Sequence, residues 1–285
     1  MTIADDAAHA GLHRVGGRPP LWAYLVEVWQ RREFIYSLAK FRLEAENGRS
    51  RLGVGWVVLK PLLNAAVYGL VFGLLLQTRR GVEDFLPFLV IGVLMFEYFS
   101  TCFTTGAKSI TSNAALVQSL SFPRMSLPLA LVGQRLMQFV PMVAIMLIFV
   151  MVYGSRPSLT WLLLIPLTLL FTLFNTGLTL ITARLTVHFR DLTQLLPFVA
   201  RFFFYTSGIF FSVRQRFGDE SIIRKIADLQ PIHEFLTLGR AILLDGSPYT
   251  MPNEYWLYAS IWSLATLIVG VLFFWAAEER YGRTD

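Results

Sequence analysis

The sequence is short of charge. Asp, Glu, Lys and Arg make up 15% of its 285 residues, hydrophobic residues make up 55%, and mean hydropathy is +0.54. Soluble domains carry roughly 25% charged residues, so this chain has too little polar surface to cover a water-exposed globule. Cysteine is nearly absent. The single Cys102 lies in an apolar run, which excludes an intrachain disulfide and the usual zinc spacings. The four histidines, His9, His13, His188 and His233, are scattered and offer neither a helical metal pair nor a His-centred triad. No G-x-S-x-G elbow occurs. A phosphate-binding loop is missing too: the nearest stretch, Gly106-Ala107-Lys108-Ser109, lacks the Gly-Lys dipeptide and the upstream glycine. Residues 1–19 are polar, without the apolar core of a secretory signal, and read as a disordered cytoplasmic tail. The expectation is a protein that is not an enzyme and holds no cofactor or metal of its own.

What the chain has is long apolar runs. A helix needs roughly 20 apolar residues to cross a bilayer core of ~30 Å, and in lipid the backbone must satisfy its own hydrogen bonds. Stretches 55–76, 85–105, 128–153, 159–183, 192–213 and 255–277 meet that requirement and predict six transmembrane helices. Lys and Arg set the orientation. Fifteen fall on the side that carries both ends of the chain and eight on the other, so both termini are expected to be cytoplasmic. The net charge of +6 therefore follows membrane topology, and nucleic acid is not an expected partner.

Two connecting stretches are amphipathic. Before the first span, Trp22, Leu25, Val26 and Trp29, continued by Phe34, Leu38 and Phe41, alternate at helical spacing with Glu27, Arg31, Arg32 and Lys40. Tryptophans beside basic residues suit a helix lying among lipid headgroups, or alternatively one packed on the protein. Between spans five and six, Ile222, Ile226 and Leu229 and then Phe235, Leu236, Leu238 and Leu243 predict two short amphipathic helices at the outer interface, separated by Pro231.

Charged residues inside spans are costly and point to function or to mutual pairing. Glu97, Arg135 and Arg201 are of this kind: they either pair with one another or line a polar path. Arg190 and Asp191 stand at the inner end of span five, as surface pairs or part of an inner gate. Arg42, Arg49, Arg51 and Lys60 precede or enter span one, where they anchor to anionic lipid or draw a pyrophosphate headgroup. Aromatic rings crowd spans two and five. Sugar C–H faces stack on such rings, so Phe198, Phe202 and Tyr205, which share a helical face, are candidates for a channel lining, with Phe96 and Phe99 of span two; packing and lipid contact are the alternative.

Several local patterns then fall in order: Arg49-Ser-Arg-Leu-Gly53-Val-Gly-Trp56 and Leu59-Lys-Pro61 before and in span one, Asn113-Ala-Ala-Leu116-Val-Gln and Phe122-Pro123-Arg124 after span two, and Phe189-Arg190-Asp191-Leu192 after span four. From about Trp22 to its end the chain resembles the ABC-2-type permeases that export polysaccharides such as O-antigen, teichoic acid and cell-wall galactan. The resemblance implies an all-α membrane domain over 20–285, with an interface helix at 20–43 and outer gate helices within 220–244. Gln230-Pro231 stands where the family has Asn-Pro. It implies a coupling helix within 107–118, carried by Ser109, Asn113, Leu116 and Val117. It further implies a second copy of the chain, two ATPase subunits that bind ATP and Mg, a polyprenyl-pyrophosphate-linked glycan, galactan weakly favoured, and the bacterial inner membrane. A small-molecule permease of the same architecture is the second reading.

Overall fold

The computed structural model describes residues 19–48, 51–53, 55–71, 85–119, 122–213, 221–244 and 253–278. Among the described residues all regular structure is helical. The helices are α1 (Leu21–Gln30), α2 (Arg32–Asn47), α3 (Gly55–Tyr68), α4 (Phe85–Gly106), α5 (Ala114–Ser119), α6 (Ser126–Val152), α7 (Leu164–His188), α8 (Leu192–Thr206), α9 (Ile222–Asp228), α10 (Pro231–Leu243) and α11 (Asn253–Trp275). A 3-10 turn, Leu159–Leu163, leads into α7.

Four helical stretches are long and apolar enough to cross a membrane: Phe85–Gly106, Ser126–Val152, Leu159–His188 and Asn253–Trp275. The first expected span is a shorter apolar helix, Gly55–Val71, and the rest of that stretch, 72–76, lies outside the described residues. The fifth, α8, has 15 residues, which at ~1.5 Å per residue is about 22 Å, short of the hydrocarbon thickness.

The core is built around α4. Sixteen of its 22 residues are buried, because α6, α7, α8, α10 and α3 all pack against it. Its apolar residues run all round the helix, as a central position requires. The tightest pair is α7 with α11. They meet at Gly177 and Gly270, where a Cβ on Gly270 would come to 2.5 Å from the Gly177 carbonyl. Small residues let membrane helices approach until their backbones touch, which replaces the missing hydrophobic drive with close van der Waals contact. Ser263 of α11 adds a hydrogen bond from its hydroxyl to the Leu170 carbonyl at 2.8 Å.

The N-terminal amphipathic stretch divides its apolar residues between two faces. Tyr24 and Val28 of α1 are buried against the bundle, while Trp22, Val26 and Trp29 point outward at helical spacing, both tryptophans more than two-thirds exposed. One side of α1 thus packs on the protein and the other is uncovered. Helix α2 then runs along α6.

The connection between α8 and α11 corrects the sequence reading. Two short helices are present and Pro231 begins the second, at its first turn, where its missing N–H costs nothing. Yet α10 does not lie on a surface. Ile232 through Leu236, Leu238 through Arg240, Ile242 and Leu243 are all buried, packed on α4, α7 and α11. Only α9 is amphipathic in place, with Ile222, Ile226 and Leu229 exposed and Ala227 buried.

Candidate functional site

Three constellations matter: a junction where the first and last described segments meet, a pair of polar cavities at mid-bundle, and a latch at the opposite end.

At the first, the loop after α4 turns back through a 3-10 turn, Thr111–Asn113, into α5. Asn113 donates to the Ser109 carbonyl at 2.8 Å and closes the turn. Ser109, Ile110 and Val117 are buried, and Leu116 is half-buried. The four residues expected to carry coupling therefore fix the loop onto the bundle. Its uncovered positions are Lys108, Thr111, Ser112, Ala114 and Ala115.

The exit of this loop is bolted to the first and last described segments of the chain. Tyr24 of α1 donates its hydroxyl to Glu278 at 2.7 Å and accepts from the Met125 N–H at 3.1 Å. The Arg124 backbone N–H donates to the other Glu278 oxygen at 3.1 Å, and its guanidinium to the Glu278 carbonyl at 2.5 Å. Trp275 donates to the Pro19 carbonyl at 2.9 Å. Burial raises the Glu278 carboxyl against the opposing pull of these donors. Phe122-Pro123-Arg124 is visible in the sequence only as a motif, and Tyr24 and Glu278, 254 residues apart, carry no local signal.

At mid-bundle, Glu97 borders two cavities. One, of about 330 Å³, is lined by Glu46, Trp56, Lys60, Glu97, Arg135 and Gln138 among others. The other, of about 310 Å³, is lined by Asn64, Tyr68, Glu97, Ser100, Arg201 and Tyr205 among others. The intramembrane charges do not pair with one another. Arg135 pairs instead with Glu46 of α2 at 3.1 Å and donates to Gln138 at 2.6 Å, while Gln134 donates to the same Glu46 at 2.6 Å. This network ties α2 to α6.

The basic group before span one does not converge. Arg42 leans on the start of α6, with Nη1 at 3.5 Å from the Leu127 carbonyl, and burial lowers its pKa. Arg51 is exposed, Lys60 lies over Trp56 at 6.0 Å, and Arg49 is outside the described residues. Arg190 and Asp191 are both exposed at the turn between α7 and α8.

The five aromatic candidates separate into two groups. Phe96 and Phe99 are buried, 5% and 1% exposed, and join α4 to α8 through edge contacts with Phe204 at 5.0 Å and Phe203 at 6.1 Å. Phe99 also stacks on Phe103 at 5.4 Å, so it belongs to the core rather than to an open face. Phe198, Phe202 and Tyr205 are 65%, 64% and 51% exposed and form a continuous row along α8.

At the opposite end, α8 stops at Thr206 and leaves carbonyls without helical partners. The turn that follows, 207–209, adds further carbonyls, and it is this turn that α10 and its N-cap residue engage. His233 Nδ1–H donates to the Ser207 carbonyl at 3.0 Å, Arg240 Nη1 to Gly208 at 2.9 Å and Nη2 to Ile209 at 3.2 Å. Gln230 donates to the Ser207 hydroxyl at 3.1 Å. Burial, reinforced by Arg240, lowers the His233 pKa, so the ring is neutral. Tyr255 of α11 donates to Asp228, which lies 4.0 Å from His233.

Glu234 is fully enclosed, and its carboxyl oxygens have no hydrogen-bond partner among the described residues. Burial, then Asp228, pushes this carboxyl from an ordinary value of 4.5 up to about 8. The folded state holds its proton more tightly than the unfolded chain does, so stability falls as pH rises from about 4.5 and levels off above about 8. The melting temperature of the solubilised protein is expected to decline across that window, and Glu234→Gln to flatten the profile. An unchanged slope in that variant would show that the carboxyl is not the titrating group.

An all-helical bundle with these long apolar helices defines a multi-pass membrane protein. The model of the ABC-2 type transporter family matches residues 35–244, and the chain belongs to that family. It is similar to the O-antigen export system permease protein RfbA of Myxococcus xanthus, 30% identical over 257 residues, which cover 90% of this chain and 94% of the relative. An RfbA permease of Klebsiella pneumoniae is 26% identical over 236 residues, 81% of this chain and 87% of the relative. The polysialic acid transport protein KpsM of Escherichia coli is 21% identical over 236 residues, 81% of this chain and 88% of the relative.

Proposed function

We propose that this chain is the membrane-spanning half of an ATP-driven exporter that moves polysaccharide, carried on a polyprenyl pyrophosphate lipid, from the cytoplasmic to the outer side of the bacterial inner membrane. The observation that carries the reading is the row Phe198, Phe202 and Tyr205, uncovered along α8 beside a polar cavity. A long polymer passes only where no contact holds it hard, because every repeated contact multiplies along the chain. Flat apolar rings give weak stacking that tolerates any register. The relatives named for O-antigen export and polysialic acid transport support the same substrate class. A galactan is one member of that class, and that choice rests on the family resemblance alone.

In this reading six segments cross the membrane, α3 and α8 as the short ones, with both termini cytoplasmic. Two copies face each other across the α8 rows. Two separate ATPase subunits, which bind ATP and Mg, dock on the uncovered rim of the 107–119 loop around Thr111, Ser112 and Ala115. Arg51, Arg190 and Asp191, exposed on the same side, meet the lipid headgroups and the pyrophosphate on entry.

The test is reconstitution of the full chain with its cognate ATPase in proteoliposomes loaded with the lipid-linked glycan. ATP-dependent transfer across the bilayer is expected. Replacing Phe198, Phe202 and Tyr205 together with leucine preserves hydrophobicity and membrane insertion, and transfer is expected to fall at least tenfold. Wild-type transfer in the triple variant would remove α8 from the conduit. Efflux of small amphiphiles with no glycan transfer would favour the small-molecule permease.

A further inference from the structure

Glu97 is the single charged residue of α4, at the thirteenth of 22 positions, in the middle of an otherwise apolar span. Such a residue is retained at a cost and normally has a partner. Among the described residues Glu97 makes no ion pair. Arg135, the nearest candidate in its first cavity, is already held by Glu46 at 3.1 Å and by Gln138 at 2.6 Å. Arg201, across the second cavity, forms no bridge to it. The carboxylate therefore faces open space on two sides.

The charge around that space argues for the class of ligand. In the first cavity Glu46 and Glu97 balance Lys60 and Arg135; in the second Glu97 balances Arg201. An anionic headgroup gains no net attraction from either. A metal ion is not catered for, since no group of three metal-ligating side chains forms among the described residues. What the second cavity offers is a strip of neutral polar groups on one helix face. Ser100 and Thr104 follow Glu97 at helical spacing, and Asn64 faces them from α3. The Thr104 hydroxyl donates to the Ser100 carbonyl at 2.7 Å, so its oxygen keeps acceptor capacity for a ligand. The rings of Tyr68 and Tyr205 complete the wall. Acceptors on one side and ring faces on the other suit a neutral, hydroxyl-rich ring. The volume, about 310 Å³, lies at the small end of the ~300–1,000 Å³ typical of ligand pockets.

We propose that Glu97, with Asn64, Ser100 and Thr104, forms a saccharide subsite within the conduit, in which the carboxylate accepts hydrogen bonds from adjacent hydroxyls of a passing sugar unit. The inference rests on the export reading above and adds to it the polar contact that aromatic stacking lacks. One small cluster of acceptors, with a single carboxylate, gives a foothold for a unit at a time without holding the whole polymer. The subsite also explains why a carboxylate stands here and not an amide: its two oxygens accept from neighbouring hydroxyls at once.

The experiment uses the full chain reconstituted with its ATPase, in wild-type form and as Glu97→Leu, Glu97→Gln and Asn64→Leu. Two readouts are taken: transfer of lipid-linked glycan, and quenching of tryptophan fluorescence by oligosaccharides released by mild acid from the source cell's surface polysaccharide. Trp56 lines the adjoining cavity and serves as the reporter. Leucine removes an intramembrane charge, so Glu97→Leu is expected to insert and melt no lower than wild type. A hydrogen bond to a charged group is worth roughly a factor of ten, so oligosaccharide binding and transfer should each fall about tenfold, with Glu97→Gln and Asn64→Leu in between. Inorganic pyrophosphate should not quench, nor compete with the oligosaccharide.

Wild-type oligosaccharide binding in Glu97→Leu overturns the subsite. So does pyrophosphate binding that depends on the same residues, which would make the cavity an anion site. If Glu97→Leu does not fold, the proposal is decided by Glu97→Gln and Asn64→Leu, and wild-type behaviour in both overturns it. If the wild-type chain itself transfers no glycan, the export reading fails, whereas normal transfer in wild type and variants alike removes only the subsite.

Discussion

Gly177→Leu is expected to prevent stable assembly of the bundle. The Cβ alone would fall on the backbone of Thr266 and Leu267 of α11, under 3.0 Å, where neither helix has a flexible atom to give way. The same contact is met from the other side: a Cβ on Gly270 would lie 2.9 Å from the Gly177 Cα. Overpacking in a core costs about 1–3 kcal/mol when side chains can adjust; against backbone, in the closest helix pair of the protein, the cost belongs at or above the top of that range. Separating α7 from α11 would also pull Ser263 off the Leu170 carbonyl. The measurement is the melting temperature and monodispersity of the solubilised chain. Gly177→Ala should lower the melting temperature, and Gly177→Leu should yield aggregated protein. A monodisperse leucine variant with wild-type melting would mean that the two helices sit farther apart than described.

Arg240→Met is expected to produce the second large effect, at the far end. The guanidinium donates to three carbonyls, those of Phe88, Gly208 and Ile209, at 3.2, 2.9 and 3.2 Å, and rests on the Phe88 ring at 3.4 Å. Gly92 leaves the space its Nη2 occupies. Methionine keeps the length and apolar character but leaves the enclosed Gly208 and Ile209 carbonyls without this donor, at about 1–3 kcal/mol each, while the Phe88 carbonyl keeps its partner within α4. Lysine should rescue little, because one ammonium cannot reproduce a planar fork aimed at separated acceptors. The C-terminal end of α8 should then loosen. A cysteine placed at Ser207, fully buried in the wild type, should become reactive to a thiol reagent in Arg240→Met. Equal protection in both backgrounds would show that His233 and Gln230 hold the turn without the arginine.

Much of this architecture could be read from the sequence. Long apolar runs announced α4, α6, α7 and α11, and Glu97 stood out because a single carboxylate in such a run has no cheap explanation. The interior of α10 could not be read. Its apolar spacing looked like one face of a surface helix, yet His233, Glu234 and Arg240 on the other faces are enclosed as well. His233 and Arg240 are there because the turn after α8, 207–209, has carbonyls that need donors, a demand set some 25 residues away and invisible in local periodicity; Glu234 has no such partner. Phe96 and Phe99 were alike in sequence yet part in the fold, Phe96 bordering the second cavity and Phe99 closed in the core, because aromatic composition marks a span but not which ring turns inward. The pairing of Arg135 with Glu46 spans 89 residues, beyond any helical spacing rule.

The junction of Tyr24, Arg124 and Glu278 carries a consequence for the chain as a mechanical object. With Trp275 also fastened to Pro19, the polypeptide is tied into a near-closed hoop whose fastening is the exit of the 107–119 loop. A displacement of that loop cannot stay local. The same few hydrogen bonds hold the first and last described helices, so two elements at opposite ends of the sequence share one fastening.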